Sequence, residues 1–219
     1  MSTKSLKDII IIGYSGHAYV ALDIILAMGE RVVAYCDQEE KSQNPYQLQY
    51  LGKEEEELAF RQLRQCDYFI GIGNNQIRCK VQLGLTQQLS RPPINVIHPT
   101  VTQSPHLRLG KGVMFAPHVI INSMTKIGDG VICNSGAIIE HECQIDNFVH
   151  IAPGAVLAGN VSVGEESFIG ANTVVKEGIC IGKKVTIGAG SVIIRDIPDG
   201  VTVVGNPNRI IKRHDQRTS

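Results

Sequence analysis

Residues 139–157 read Ile139-Glu140-His141-Glu142-Cys143-Gln144-Ile145-Asp146-Asn147-Phe148-Val149-His150-Ile151-Ala152-Pro153-Gly154-Ala155-Val156-Leu157, with an apolar side chain at every sixth place: Ile139, Ile145, Ile151 and Leu157. The spacing continues without an insertion back through Cys133, Ile127, Ile121 and Phe115 to Leu109, and forward through Val163, Ile169, Val175, Ile181 and Ile187 to Ile193. Four residues after an anchor the side chain is nearly always small or β-branched, as at Val131, Ala137, Cys143, Val149 and Ala155, and the residue just after it is often Gly, Ala or Asn. A period of six over so many turns predicts a parallel β-helix, in which short strands and tight turns follow one another and side chains stack coil on coil.

Upstream of the repeat the texture changes. Asp8–Gly13 is an apolar run ending in glycine, 18–28 carries apolar residues at helical spacing, and Arg31–Cys36 is β-rich and ends at Asp37. A Gln-, Asn- and Pro-containing loop at 38–50 leads to a predicted helix over 54–65, whose acidic run Glu54–Glu57 reads as a solvated first turn. A strand over 68–73, a helix over 76–89 and a short strand over 95–97 complete the pattern. Strands alternating with helices predict a small Rossmann-like α/β unit with a parallel sheet. The chain of 219 residues is therefore divided into an N-terminal unit at 1–100, a β-helix at 101–196 and a tail at 197–219 that opens with the turn residues Ile197-Pro198-Asp199-Gly200. A solenoid needs its ends covered, and the first unit and the tail are the expected caps.

Composition excludes several classes. Lys and Arg total 21 against 21 Asp and Glu, with no basic stripe, so nucleic acid is not an expected partner. Six cysteines without Cys-x-x-Cys spacing suit reduced, small apolar residues. The start, MSTKSLKD, lacks a signal-type apolar stretch, and Ile9–Ile12 is too short to span a bilayer, which predicts a cytoplasmic protein without membrane insertion.

Three constellations can carry chemistry. Gly13-Tyr14-Ser15-Gly16-His17 follows a strand and opens a helix, where backbone N–H groups can receive a diphosphate. It lacks the full Gly-x-Gly-x-x-Gly spacing, which disfavours a dinucleotide cofactor even with Asp37 suitably placed. Asp37 at a strand end suits a ribose or base edge, and equally a turn. Gly71-Ile72-Gly73-Asn74-Asn75, with Arg78 one turn into the next helix, is a second loop that ligand or simple turn geometry would explain. Inside the repeat, His141, Glu142 and His150 fall between inward anchors and should point outward. A neutral imidazole beside a carboxylate is a general-base arrangement, provided the turn lets two sequential side chains meet. Cys143, at an inward position, is a poor covalent nucleophile. His118, His141 and His150 lack the spacing of a γ-carbonic-anhydrase-type zinc site, so no metal is expected.

The blocks Tyr14-Ser15-Gly16-His17, 69–78 (FIGIGNNQIR), 138–143 (IIEHEC), Phe148-Val149-His150 and Ala158-Gly159-Asn160-Val161 together resemble the bacterial sugar acetyltransferases of the bacillosamine and sialic acid modification group, across about Asp8 to Arg209. The resemblance implies a left-handed β-helix and a homotrimer with acetyl-CoA between neighbouring subunits. It implies acetylation of the 4-amino group of a UDP-linked 4-amino-4,6-dideoxy sugar, with a GDP-linked amino sugar such as perosamine or a sialic acid hydroxyl as alternative acceptors. By the same resemblance His141 is the base, Glu142 its carboxylate, His150 a residue near the thioester, and Asn134 part of the acceptor site. Ser15, Gly16, His17, Asp37, Gly73 and Arg78 fall on the sugar-nucleotide side, and the turns at Gly170 and Gly188 on the pantetheine side. Asp146-Asn147, Asn208 and Gln38 depart from that group's usual residues.

Overall fold

Four consecutive isoleucines, Ile9–Ile12, form β1, each no more than 2% exposed in the computed structural model, which describes residues 8–214. Burial on both faces is what a central parallel strand demands, and it explains an unbroken apolar run where a one-sided strand would alternate. Around it lie α1 (Gly16–Ala27), β2 (Val32–Cys36), β3 (Gln49–Tyr50), α2 (Glu57–Leu63), β4 (Asp67–Ile70) and α3 (Asn75–Leu89). The four strands form one parallel sheet in the order β3-β2-β1-β4. Among the described residues, those up to Pro99 make one compact unit and those from Thr100 another.

Three expectations for this unit are corrected. The loop 38–50 ends in β3, which pairs Ala34 with Gln49 and Tyr35 with Tyr50. Val96–Ile97 is a strand but not a member of the four-stranded sheet. The acidic run is not a helical first turn. Residues 53–56 form a turn closed by Glu56 N–H donating to Lys53 O, after Gly52 at φ +91°, and α2 begins only at Glu57.

From Thr102 onward, two-residue strands stack in three parallel ladders, forming the left-handed parallel β-helix. The first face holds Arg108–Leu109, Lys126–Ile127, Gln144–Ile145, Ser162–Val163 and Cys180–Ile181. The second runs from Met114–Phe115 through Ile132–Cys133, His150–Ile151 and Phe168–Ile169 to Thr186–Ile187. The third runs from Thr102–Gln103 through Ile120–Ile121, Ile138–Ile139, Val156–Leu157 and Val174–Val175 to Val192–Ile193. Each residue pairs with the one eighteen places on, as Lys126 with Gln144 and Ile138 with Val156. The anchors from Phe115 to Ile193 are buried along the axis, each isoleucine contributing about 1.5–3 kcal/mol.

The corners explain the period. Positive φ recurs every sixth residue, at Gly112, His118, Met124, Gly130, Gly136, Glu142, Phe148, Gly154, Asn160, Glu166, Asn172, Gly178, Lys184 and Gly190. One left-handed residue per hexapeptide turns the chain, and Gly or Asn supplies it at least strain in most of these places. Asp146-Asn147, unusual for the repeat, has a structural role: the Asn147 carboxamide oxygen accepts from the Asp129 N–H at 2.8 Å, and Asp129 accepts likewise from Lys111 N–H.

Within the second unit the stack begins at Thr102–Gln103, one strand earlier than the periodicity suggested, because Gln103 occupies an anchor place with a polar, exposed side chain. At the other end the register shortens to sixteen, pairing Ile181 with Ile197 and Ile187 with Val203, and the tail does not end as a mere turn. Val201–Val204 and Arg209–Arg213 form an antiparallel hairpin that continues the second face.

Candidate active site

His141 and Glu142 stand on the corner between the third and first faces. Glu142 has φ +60°, and this left-handed residue breaks the alternation that would send neighbouring side chains to opposite sides. His141 Nδ1 lies 3.2 Å from Glu142 Oε2, with both side chains more than half exposed (54% and 65%). A carboxylate oxygen only accepts, so Nδ1 carries the proton and Nε2 is left as the basic nitrogen.

The corner is clamped from above, below and within. Glu142 N–H donates to Ser123 O in the preceding coil, and His141 O accepts from Asn160 N–H in the following one. Inside, the buried Thr125 hydroxyl donates to Glu140 O and accepts from Cys143 N–H. The Cys143 thiol donates to Ala158 O, and burial pushes it up to about 11, so it is a packed thiol and not a nucleophile. The neighbouring Asn122 carboxamide donates to Glu140 Oε2.

The other repeat residues fare differently. His150 occupies an outward position of the coil as expected but is not at the surface: it is only 9% exposed, its ring edge-on to Phe168 with centroids 5.1 Å apart. The outer column of the second face here is Met114, Ile132 and His150, all buried, which accounts for the correction. Asn134, half-buried, accepts from Ser135 N–H, and it shares one turn column with Gly170 and Gly188. At Gly170 a Cβ would come 2.5 Å from Ile187 O, so the stacked backbone alone explains that glycine.

In the N-terminal unit, the carboxyl ends of β1, β2 and β4 bring the expected loops together. A Cβ on Gly13, at φ +87°, would sit 2.9 Å from Ile72, and one on Gly71 2.8 Å from Ala18 Cβ. Gly73 faces His17, whose ring would lie 3.4 Å from an added Cβ. Ser15 and Gly16 are exposed at the start of α1, and the Ser15 side chain makes no cap on the helix. On α3 Asn74 does cap, accepting from Ile77 N–H.

Three of the expected ligand residues are also engaged by the fold. Arg78 is 1% exposed and donates to Ile72 O, Gly73 O and Asn75 Oδ1, so it braces the loop from beneath. Burial, and secondarily the Arg78 cation, lower the His17 imidazole to about 4, which makes it neutral. Asp37 accepts from Tyr14 N–H, Gln38 N–H and the Lys41 ammonium (3.2 Å), fastening the first loop to the end of β2. Sequence reasoning missed Lys41 and a tyrosine cluster. Tyr14 stacks on Tyr35 at 4.1 Å and donates to Asn44, while Tyr46 donates to Asp23, so loop 38–48 is pinned across the unit. The crowding of tyrosines before residue 51, in a chain with no tryptophan, was the available signal.

Among the described residues no group of three or more His, Cys, Asp or Glu could hold a metal ion, and no helix is long and apolar enough to cross a membrane.

Two family models match the chain: the PglD N-terminal domain over residues 8–84 and the hexapeptide repeat of succinyl-transferase over 160–195. PerB from Caulobacter crescentus, solved with CoA and GDP-perosamine, is 36% identical over 95% of this chain and 99% of its own, with a TM-score of 0.86. The acetyltransferase domain of PglB from Neisseria gonorrhoeae FA1090, solved with acetyl coenzyme A, is 34% identical over 94% and 99%, with a TM-score of 0.86. WeeI from Acinetobacter baumannii AYE, 24% identical with a TM-score of 0.81 over 93% and 99%, shares the fold.

Proposed function

The chain belongs to the hexapeptide-repeat sugar N-acetyltransferases, enzymes that use acetyl-CoA, and from that premise we propose that it acetylates the 4-amino group of a nucleotide-linked 4-amino-4,6-dideoxy sugar, with UDP as the carrier. The observation that carries the reading is the His141–Glu142 contact on a clamped, exposed corner of the prism. GDP-perosamine, bound by PerB, is the second reading for the acceptor.

The amine attacks the thioester carbonyl as a free base, its nitrogen forming the new amide bond. His141 Nε2 takes the proton that the nitrogen sheds, and Glu142 favours the imidazolium so formed. Collapse of the tetrahedral intermediate breaks the carbon–sulfur bond, and the departing CoA sulfur receives a proton from the imidazolium. A backbone N–H or the His150 ring would stabilise the oxyanion, a contribution of about 2.7–4 kcal/mol for one good donor. Ser15, Gly16 and the first turn of α1 hold the diphosphate, with Gly73 admitting close approach. His17, Asp37 and Arg78 shape those loops. Asn134 lines the acceptor pocket and the turns at Gly170 and Gly188 meet the pantetheine arm.

The outer column of the third face is Ile120, Ile138, Val156, Val174 and Val192, an apolar stripe beside the His141 corner, with Val174 45% exposed. This is the face for packing in a homotrimer. Val174→Glu should then give a monomer in sedimentation with a folded chain; a variant that stays trimeric refutes that face. The substrate is tested by thiol release from acetyl-CoA with UDP-, GDP- and CMP-linked amino sugars and with sialic acid. Highest kcat/KM on the UDP-linked amine supports the reading, and preference for a hydroxyl acceptor contradicts it.

A further inference from the structure

Most glycines of the prism are required by its own backbone. A Cβ at Gly110, Gly128, Gly164 or Gly182 would strike the next coil within 2.3–2.8 Å, including main-chain atoms in each case. Gly159 is different. It lies eighteen residues after His141, directly over it in the stack, and the three atoms nearest to its absent Cβ all belong to the imidazole: Cε1 at 2.5 Å, Nε2 at 2.6 Å and Nδ1 at 3.1 Å. The coil does not need a glycine there for backbone reasons, since its φ lies outside the left-handed range and the chain continues through ordinary ladder bonds at Ala158 and Asn160.

We infer that Gly159 is a positioning residue for the reaction: the hydrogen in place of a side chain is the seat on which the His141 ring lies. Two contacts then define the ring. Glu142 fixes its Nδ1 edge at 3.2 Å, and the Gly159 main chain supports the ring from the following coil. One hydrogen bond alone leaves a half-exposed imidazole free to pivot about its Cα–Cβ and Cβ–Cγ bonds, while a bond and a packed support together hold the base to a single rotamer. A methyl group at 159 cannot share that space with the ring. Because the obstacle is the end of a movable side chain and not the backbone, the imidazole gives way and the coil survives. The effect therefore falls on proton transfer, which tolerates little misplacement of the base.

This inference rests on His141 being the base, and the experiment separates the two. Gly159→Ala is compared with wild type and with His141→Ala in steady-state kinetics, with a crystal structure of each and a thermal melt. The expected result for Gly159→Ala is kcat lowered by roughly 10–100-fold, KM for acetyl-CoA and for the sugar nucleotide within about twofold of wild type, an undiminished Tm, and the ring rotated off Glu142. Three outcomes overturn the inference: full kcat, a loss carried by KM instead of kcat, or a crystal structure in which the ring keeps its place beside the new methyl. A collapsed Tm is a fourth, since it would make the glycine structural. If His141→Ala is itself fully active, the reading of the base fails, whatever Gly159→Ala does.

Discussion

Along the prism the chain returns to the same place every eighteen residues, and His141 sits on a surface corner whose backbone is already satisfied by the coils on either side. In the α/β unit the residues singled out for binding lie at the ends of β1, β2 and β4, where each of Asp37, His17 and Arg78 is also part of what holds the loops in place. The difference teaches where function can be changed without cost to the fold. A repeat supplies a rigid frame independently of any one exposed side chain, so a catalytic group there can be removed freely. A loop at a sheet edge has no such frame, and its binding residues double as its scaffold.

The sharpest separation comes from His141→Ala. Its kcat should fall by roughly 10²–10⁴ while Tm and nucleotide binding stay as in wild type, which steady-state kinetics, a melt and calorimetry would measure. A drop in Tm comparable with that of a core variant would erase the contrast. Arg78→Ala is the opposite case: three acceptors lose their donor, and stability should fall by about 2–4 kcal/mol in denaturant titration, with nucleotide affinity falling alongside. Arg78→Lys should not restore it, because an ammonium cannot span the same acceptors as a planar guanidinium.

Acid sharpens the comparison further. With the folded His17 near 4 and a free imidazole near 6.5, the unfolded chain binds a proton between those values that the folded chain does not. Stability should therefore be complete above pH 6.5 and decline toward pH 4, by no more than about 3 kcal/mol. His17→Asn should flatten that slope in melts across the range. Smallest is Glu142→Gln, with kcat down by roughly tenfold and no change in Tm. Full activity in that variant would mean that the 3.2 Å contact does not orient the base.

The prism was legible in the amino-acid order because every coil repeats one burial demand, and fifteen anchors repeat it in phase. Its ends were not, since Gln103 fills an anchor place without an apolar side chain and the last turn shortens by two residues around Pro198. The His141–Glu142 meeting was half legible: the residues stood out, but only the left-handed φ at 142 makes neighbours share a side. The burial of His150 and Arg78 was not legible, because a residue's type does not reveal what packs over it. Val96–Ile97 carried a true strand signal, yet pairing partners are not written in a two-residue segment.

The central claim concerns one nitrogen and one proton, and a structure of the enzyme with CoA and a UDP-linked 4-amino sugar measures it. The account requires the acceptor nitrogen within about 2.6–3.2 Å of His141 Nε2, or joined to it by a single water. An acceptor nitrogen bound beyond that reach, with the imidazole turned to bulk solvent, would contradict it.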